Sequence, residues 1–268
     1  MICTYRHIDQ DIGDYYMSDL TLNMAFDCER IFLSVMSIKT KKILAVCNYI
    51  FPPMNTGNTA INQLIDNLSK LQITEKIISP SLKYKNVIYT VLDYEATLIP
   101  VKYFNEKEKY LKVLFPQSKN STVFTEKIPQ IKAMAVSAID PVYPAAISIP
   151  YSKAKYRSVY SVLIKKIFAL PEKSHFTTNV LVHVCDNVFE LLVRKSNKLI
   201  FINTFQYKRK SDILYYFLYT LNKLGLDIGA IAVFLCGKAR ETDLLKDIKI
   251  HAYHSMYYKG NDNFLLIT

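Results

Sequence analysis

The sequence predicts a mixed-sheet α/β protein made of two copies of one β-β-β-α-β-α unit. Three observations carry that expectation. Apolar and β-branched runs bounded by turn residues give three successive strands ahead of an amphipathic helix, twice. Side chains also recur at a nearly constant offset. Cys28 and Phe32 return as Cys185 and Phe189 at an offset of 157 (28 to 185), and Leu64, Leu68 and Leu71 return as Phe217, Leu221 and Leu224 at 153 (64 to 217). A loop absorbs a slip of that size at little entropic cost. Finally, residues 231–236 form an unbroken apolar run of strand length, as in a central parallel strand covered on both faces.

Each element follows from local chemistry. Residues 1–11 mix Arg6, His7 and Asp9 with few apolar groups and read as a frayed start. Strands are expected at 20–26, 31–36 and 43–51, separated by turns at 27–30 and 39–42 and closed by Pro52-Pro53 and Asn55-Thr56-Gly57. Ile61, Leu64, Ile65, Leu68 and Leu71 lie at helical spacing, so a helix is expected over 59–72, capped by Asn58 or Thr59. Strands at 87–92 and 97–99 follow. A capping box of Asn105 and Glu108 then opens a short helix to Phe115, and 122–128 and 131–138 return to strand. Pro141 and Pro144 read as a break, and 157–169 as a crossover helix.

In the second half, strands at 180–184, 188–194 and 198–205 are joined by tight turns at Asp186-Asn187 and Ser196-Asn197. Ser211 is the expected cap of a helix carrying Ile213, Leu214, Phe217, Leu218, Leu221 and Leu224, with Gly225 as its stop. A helix over 242–249 and a closing strand at 264–267 complete the chain. The expected domains are 18–150 and 151–268.

Bulk properties narrow the function classes. Half of the 268 residues are apolar and 21% are charged, which argues against long disordered tracts. The N-terminal segment is too polar for a signal peptide, and no apolar run approaches bilayer-spanning length, so a cytoplasmic protein is expected. Five scattered cysteines without a Cys-x-x-Cys pair fit reduced, mostly buried thiols rather than a disulfide framework or structural zinc site. The net charge of +11 admits nucleic acid as a partner, but the basic residues are dispersed, with modest clusters such as Lys39-Lys41-Lys42 and Lys208-Arg209-Lys210.

The order β-β-β-α-β-α is that of a ribonuclease H-like half. Two such halves joined by a crossover helix resemble the actin-like ATPase superfamily. More closely, the chain resembles an uncharacterised bacterial family assigned an actin-like ATPase fold. The resemblance spans roughly 18–250. It rests on Thr97-Leu98-Ile99-Pro100, Tyr110-Leu111, the stretches 182–205, 212–216 and 221–225, and the strand ending at Gly237.

The resemblance implies a nucleotide cleft whose phosphate turns carry an Asp-x-Gly motif, the glycine letting backbone amides approach the phosphates. Here the first turn is Asp27-Cys28-Glu29-Arg30 and the second His183-Val184-Cys185-Asp186-Asn187, both without glycine. The adenosine-side glycine pair is reduced to Gly237, before Lys238, and 58–224 contains no glycine at all. The expected protein is therefore a non-catalytic binding or scaffold module with a degenerate nucleotide cleft, no cofactor, and a protein partner. A divergent ATPase or kinase is the alternative, taking ATP and magnesium at Asp27, Asp186, Asn187, Gly237 and Lys238. A basic nucleic-acid-associated protein is the second alternative. His251 and His254, three apart, have no further ligand nearby in sequence, and no metal site is expected. His183 reads as a satisfied core or cleft histidine. The twenty tyrosines, including Tyr215, Tyr216 and Tyr219, suit half-buried borders or an interface.

Overall fold

The computed structural model describes residues 1–52, 60–92, 94–106, 109–110, 113, 121–170, 176–240, 242–252 and 254–258. The described residues divide into two compact units, the first Met1–Ser161 and the second beginning at Val162.

The first unit is built on a six-stranded sheet. Strands β2 (Leu20–Phe26), β3 (Arg30–Ser37) and β4 (Ile43–Ile50) form an antiparallel meander, and β5 (Asn86–Val91) lies parallel beside β2. β9 (Lys155–Tyr156) adds in parallel beyond β5, and β1 (Ile2–Ile8) pairs antiparallel with β4, giving the order β1-β4-β3-β2-β5-β9. Helix α1 (Ala60–Thr74) sets Leu64, Leu68 and Leu71 into the core against Leu22, Met24, Phe26, Ile31, Leu33 and Val35. Between β5 and β9 the chain makes a separate three-stranded sheet, β6 (Glu95–Pro100), β8 (Ala133–Ile139) and β7 (Thr122–Ile128). The short helix α2 (Val142–Ser148) follows, packing Ala146 and Ile147 into the first core.

Helix α3 (Val159–Ala169) leads into the second unit. Its five-stranded sheet has the order β12-β11-β10-β13-β14, formed by β10 (Thr178–Val184), β11 (Val188–Lys195), β12 (Lys198–Gln206), β13 (Ile231–Gly237) and β14 (Ser255–Tyr257). β10, β11 and β12 are antiparallel, while β13 and β14 continue in parallel from β10. Helix α4 (Lys210–Lys223) buries Ile213, Phe217 and Leu221 on Val182, Val184, Phe189 and Leu191, and α5 (Leu244–His251) adds Leu244 and Ile248. β13 is buried along its whole length, as its unbroken apolar run requires.

Several sequence expectations need correction. Residues 2–8 are a strand, not a frayed start. β1 is almost wholly exposed, so it carries no apolar alternation by which to recognise it. Pro141 and Pro144 do not break the chain: they sit at the cap and first turn of α2, where a missing amide hydrogen goes unused. α4 begins at Lys210 with Arg209 at the cap position, so Ser211 lies inside the first turn; Asp212 reaches back from that turn to accept from the amides of Lys208 and Arg209 at 2.9 Å each.

The repeat itself shifts by one residue. The two hairpin turns close through equivalent bonds, Asp27 N to Arg30 O at 3.1 Å and Cys185 N to Val188 O at 2.9 Å. Phe26 therefore corresponds to Val184 and Ile31 to Phe189, an offset of 158 (26 to 184). Phe32 corresponds to Glu190 and points to the other face of the sheet, because side chains alternate along a strand.

The Asn58/Thr59 cap, Glu108 of the capping box with most of its helix, and the 264–267 strand lie outside the described residues. Among the described residues, no helix is long and apolar enough to cross a membrane.

Candidate functional site

In the first unit, Asp27 works for its own turn. Its carboxylate accepts from the amides of Glu29 at 2.8 Å and Arg30 at 2.9 Å, and from the Arg30 guanidinium Nε at 3.1 Å. Its desolvation raises the carboxyl above the usual aspartate range, against the opposing pull of Arg30 and the two amides. Glu29 is exposed at the tip.

In the second unit, four of the sequence-predicted residues come together. Lys238 donates to the Asp186 carboxylate, linking the start of the 3-10 turn after β13 to the β10–β11 turn. Asn187 is exposed, and its carbonyl accepts from Tyr207 N at 3.0 Å. Gly237 pairs with Val184 across the parallel ladder and has φ +68°, in the left-handed region. A Cβ there would overlap the Val184 carbonyl oxygen, so close strand packing by itself requires glycine at this position.

Directly behind this turn lies a cluster that the sequence did not reveal. His183 and Glu190 are cross-strand partners, both buried, with His183 Nδ1 at 2.7 Å from Glu190 Oε2. Cys185 Sγ lies 3.8 Å from the same Nδ1. One ligand-capable atom from each of the three falls within 4.8 Å of the others. Burial opposes an imidazolium here, but the Cys185 sulfur and the Glu190 carboxylate outweigh it and raise the His183 pKa to about 10. His183 is thus a buried histidine with partners, as expected; the partners are the new information. Tyr207 Oη donates to the Cys185 carbonyl at 2.6 Å and fixes the turn from below. Of the other two histidines singled out, His254 packs on the Phe176 ring at 4.1 Å between centroids, and exposed His251 ends α5.

Beside the turn is a surface recess of about 730 Å³, lined by Asn187, Val188, Tyr207, Tyr215 and Tyr216 among others. Tyr215 and Tyr219 are half exposed and stack on each other, with centroids 5.8 Å apart.

The meander with parallel strands added beside its first member, present in both units, defines an actin-like ATPase fold. Solved structures agree. A Bacteroides thetaiotaomicron protein of actin-like ATPase fold and unknown function superposes with a TM-score of 0.78 at 15% identity, covering 93% of this chain and 95% of that one. A chain of the PilM-PilN type IV pilus biogenesis complex gives 0.64 at 9% identity, over 92% and 96%. The ethanolamine utilization protein EutJ from Carboxydothermus hydrogenoformans gives 0.50 at 6%, over 92% and 87%. The chain belongs to the DUF3822 family of proteins of unknown function, whose model matches residues 15–255. No curated protein matches it.

Proposed function

We propose that this protein is a non-catalytic binding or scaffold module of actin-like fold, cytoplasmic and bacterial, in which the nucleotide-binding turns have been given over to structural work. One observation carries the reading: both acidic turn residues are already engaged. Asp27 is held by two amides and Arg30, and Asp186 by Lys238. A triphosphate binds such turns through free backbone amides, and the amides of Glu29 and Arg30 are already donating to Asp27. Gly237 does not favour the ATPase alternative, because strand packing accounts for it.

A protein partner fits this reading. The matched pilus chain belongs to a two-protein complex, and the exposed tyrosines on α4 offer rigid amphipathic area of the kind interfaces use. Charge is the sole support for nucleic acid. Several of the lysines concerned are paired on the surface, among them Lys39 with Asp19, Lys42 with Asp9 and Lys210 with Asp247. Calorimetric titration with Mg-ATP tests the reading. The expected result is no binding at micromolar nucleotide. Micromolar affinity that Asp186→Ala or Lys238→Ala weakens would replace it with the divergent ATPase or kinase.

A further inference from the structure

We propose that His183, Cys185 and Glu190 form a zinc site in the second unit, with imidazole, thiolate and carboxylate each contributing one ligand and a fourth position left for water or a partner's donor. The site is independent of whether nucleotide binds.

Geometry comes first. A tetrahedral zinc with bonds of about 2.0–2.3 Å sets its ligand atoms roughly 3.4–3.6 Å apart. Cys185 Sγ and His183 Nδ1, at 3.8 Å, are already near that separation. His183 Nδ1 and Glu190 Oε2, at 2.7 Å, share a proton contact that must open by about 0.7 Å to admit the ion. A change in carboxylate rotation supplies a movement of that size.

The donor set is selective. A thiolate with an imidazole suits zinc and excludes the hard cations magnesium and calcium, which take oxygen ligands. Thiolate plus carboxylate also balances the ion's two charges. Access and support are both present: Cys185 is only half-buried, while the Tyr207 hydroxyl holds its backbone in place.

The first unit supplies the contrast. The positions corresponding to His183 and Glu190 are the cross-strand pair Ala25 and Phe32, so the fold does not need polar groups here. Burying an imidazole and a carboxylate costs stability that Ala and Phe do not, which is the pattern expected where a ligand site is retained.

The full-length chain is stripped with a chelator, then titrated with zinc chloride by calorimetry and with cobalt(II) by absorption. The expected result is one zinc per chain and a thiolate-to-cobalt charge-transfer band. Cys185→Ser should abolish the band, and Cys185→Ser and Glu190→Gln should each weaken zinc by about tenfold or more, at least the size seen for outer-shell changes. His251→Ala serves as the control and should change nothing. Absence of the band, or zinc binding unaffected by Cys185→Ser, overturns the site. Cys185→Ser is nearly isosteric at a half-buried position, so it decides the matter even if Glu190→Gln fails to fold.

Discussion

The two units share a strand order and a hairpin register but differ sharply on one face of that hairpin. With Phe26 set on Val184, the first unit's Thr21, Ala25, Phe32 and Met36 correspond to Asn179, His183, Glu190 and Arg194 in the second. The opposite face matches closely: Leu22, Met24, Phe26, Ile31 and Leu33 stand where Val180, Val182, Val184, Phe189 and Leu191 do, and both sets lie in their cores. The helix-covered face is therefore what specifies the fold. The other face can hold an apolar pair or a buried polar cluster on the same backbone, because strand alternation separates the two requirements. Turn chemistry diverged in the same way. Asp27 is tied within its own hairpin, whereas Asp186 is tied to Lys238 on another element.

Exchanging residues between equivalent positions breaks this comparison most strongly at Gly237. Val91 occupies the matching place beside Phe26 in the first unit and is fully buried. Gly237, at φ +68°, has no room for a Cβ beside Val184, so Gly237→Ala should cost about 4 kcal/mol, combining left-handed strain with forced separation of β10 and β13. Gly225, also left-handed but with open space around it, should lose only about 1 kcal/mol on the same change. Urea unfolding of the two variants measures the difference, and equal losses would show that packing plays no part.

Arg194→Met installs the first unit's residue. Arg194 is buried and donates to the carbonyls of Ile167 at 3.0 Å and Phe168 at 2.9 Å, closing the end of α3. A cation suits a helix C-terminus, and methionine leaves those carbonyls bare, so a loss of about 3 kcal/mol is expected from the same unfolding measurement. The His183→Ala, Glu190→Phe double variant completes the exchange. In the presence of chelator it should lie within about 1 kcal/mol of the parent, while His183→Ala alone should lose about 3 kcal/mol by removing a partner from a buried carboxylate. A double variant no better than the single one would mean that the two positions do not act as a pair.

Legibility in the sequence followed apolar pattern and turn residues. The limits of β2, buried throughout, and of β7, which alternates, agree with the sequence expectation, and Gly225 marks the end of α4 as expected. β1 was lost because an exposed edge strand has nothing to bury. Residue identity alone misplaces the repeat by one, because Phe32 and Phe189 look alike across it. The hydrogen-bonded turns, not residue identity, set the correspondence, and a slip of one residue exchanges the faces. The same slip hid the cluster. His183 and Glu190 are seven apart, a spacing with no meaning on one element, but a hairpin turn centred on Asp186-Asn187 places them directly opposite each other.

The smallest expected effect separates the two acidic turns by pH. Asp27→Ala removes three hydrogen bonds from a mostly buried carboxylate and should cost about 2 kcal/mol, whereas Asp186→Ala breaks the partly exposed pair with Lys238 and should cost less, about 0.5 kcal/mol. Asp27→Asn keeps an oxygen acceptor for the Glu29 and Arg30 amides without a charge to desolvate. The folded protein raises the Asp27 carboxyl above its ordinary value, so the native state holds that proton more tightly than the unfolded chain does. Burial of Asp27 therefore costs nothing below the unfolded pKa near 3.8, and the penalty grows as pH rises through the folded value. Relative to the parent, Asp27→Asn should accordingly gain stability between pH 3 and pH 7, ending within about 0.5 kcal/mol of it. Thermal unfolding of the pair across that range gives the sign. A gain on acidification instead would mean that the Arg30 ion pair outweighs desolvation, and that the first turn is held by charge more than by its amides.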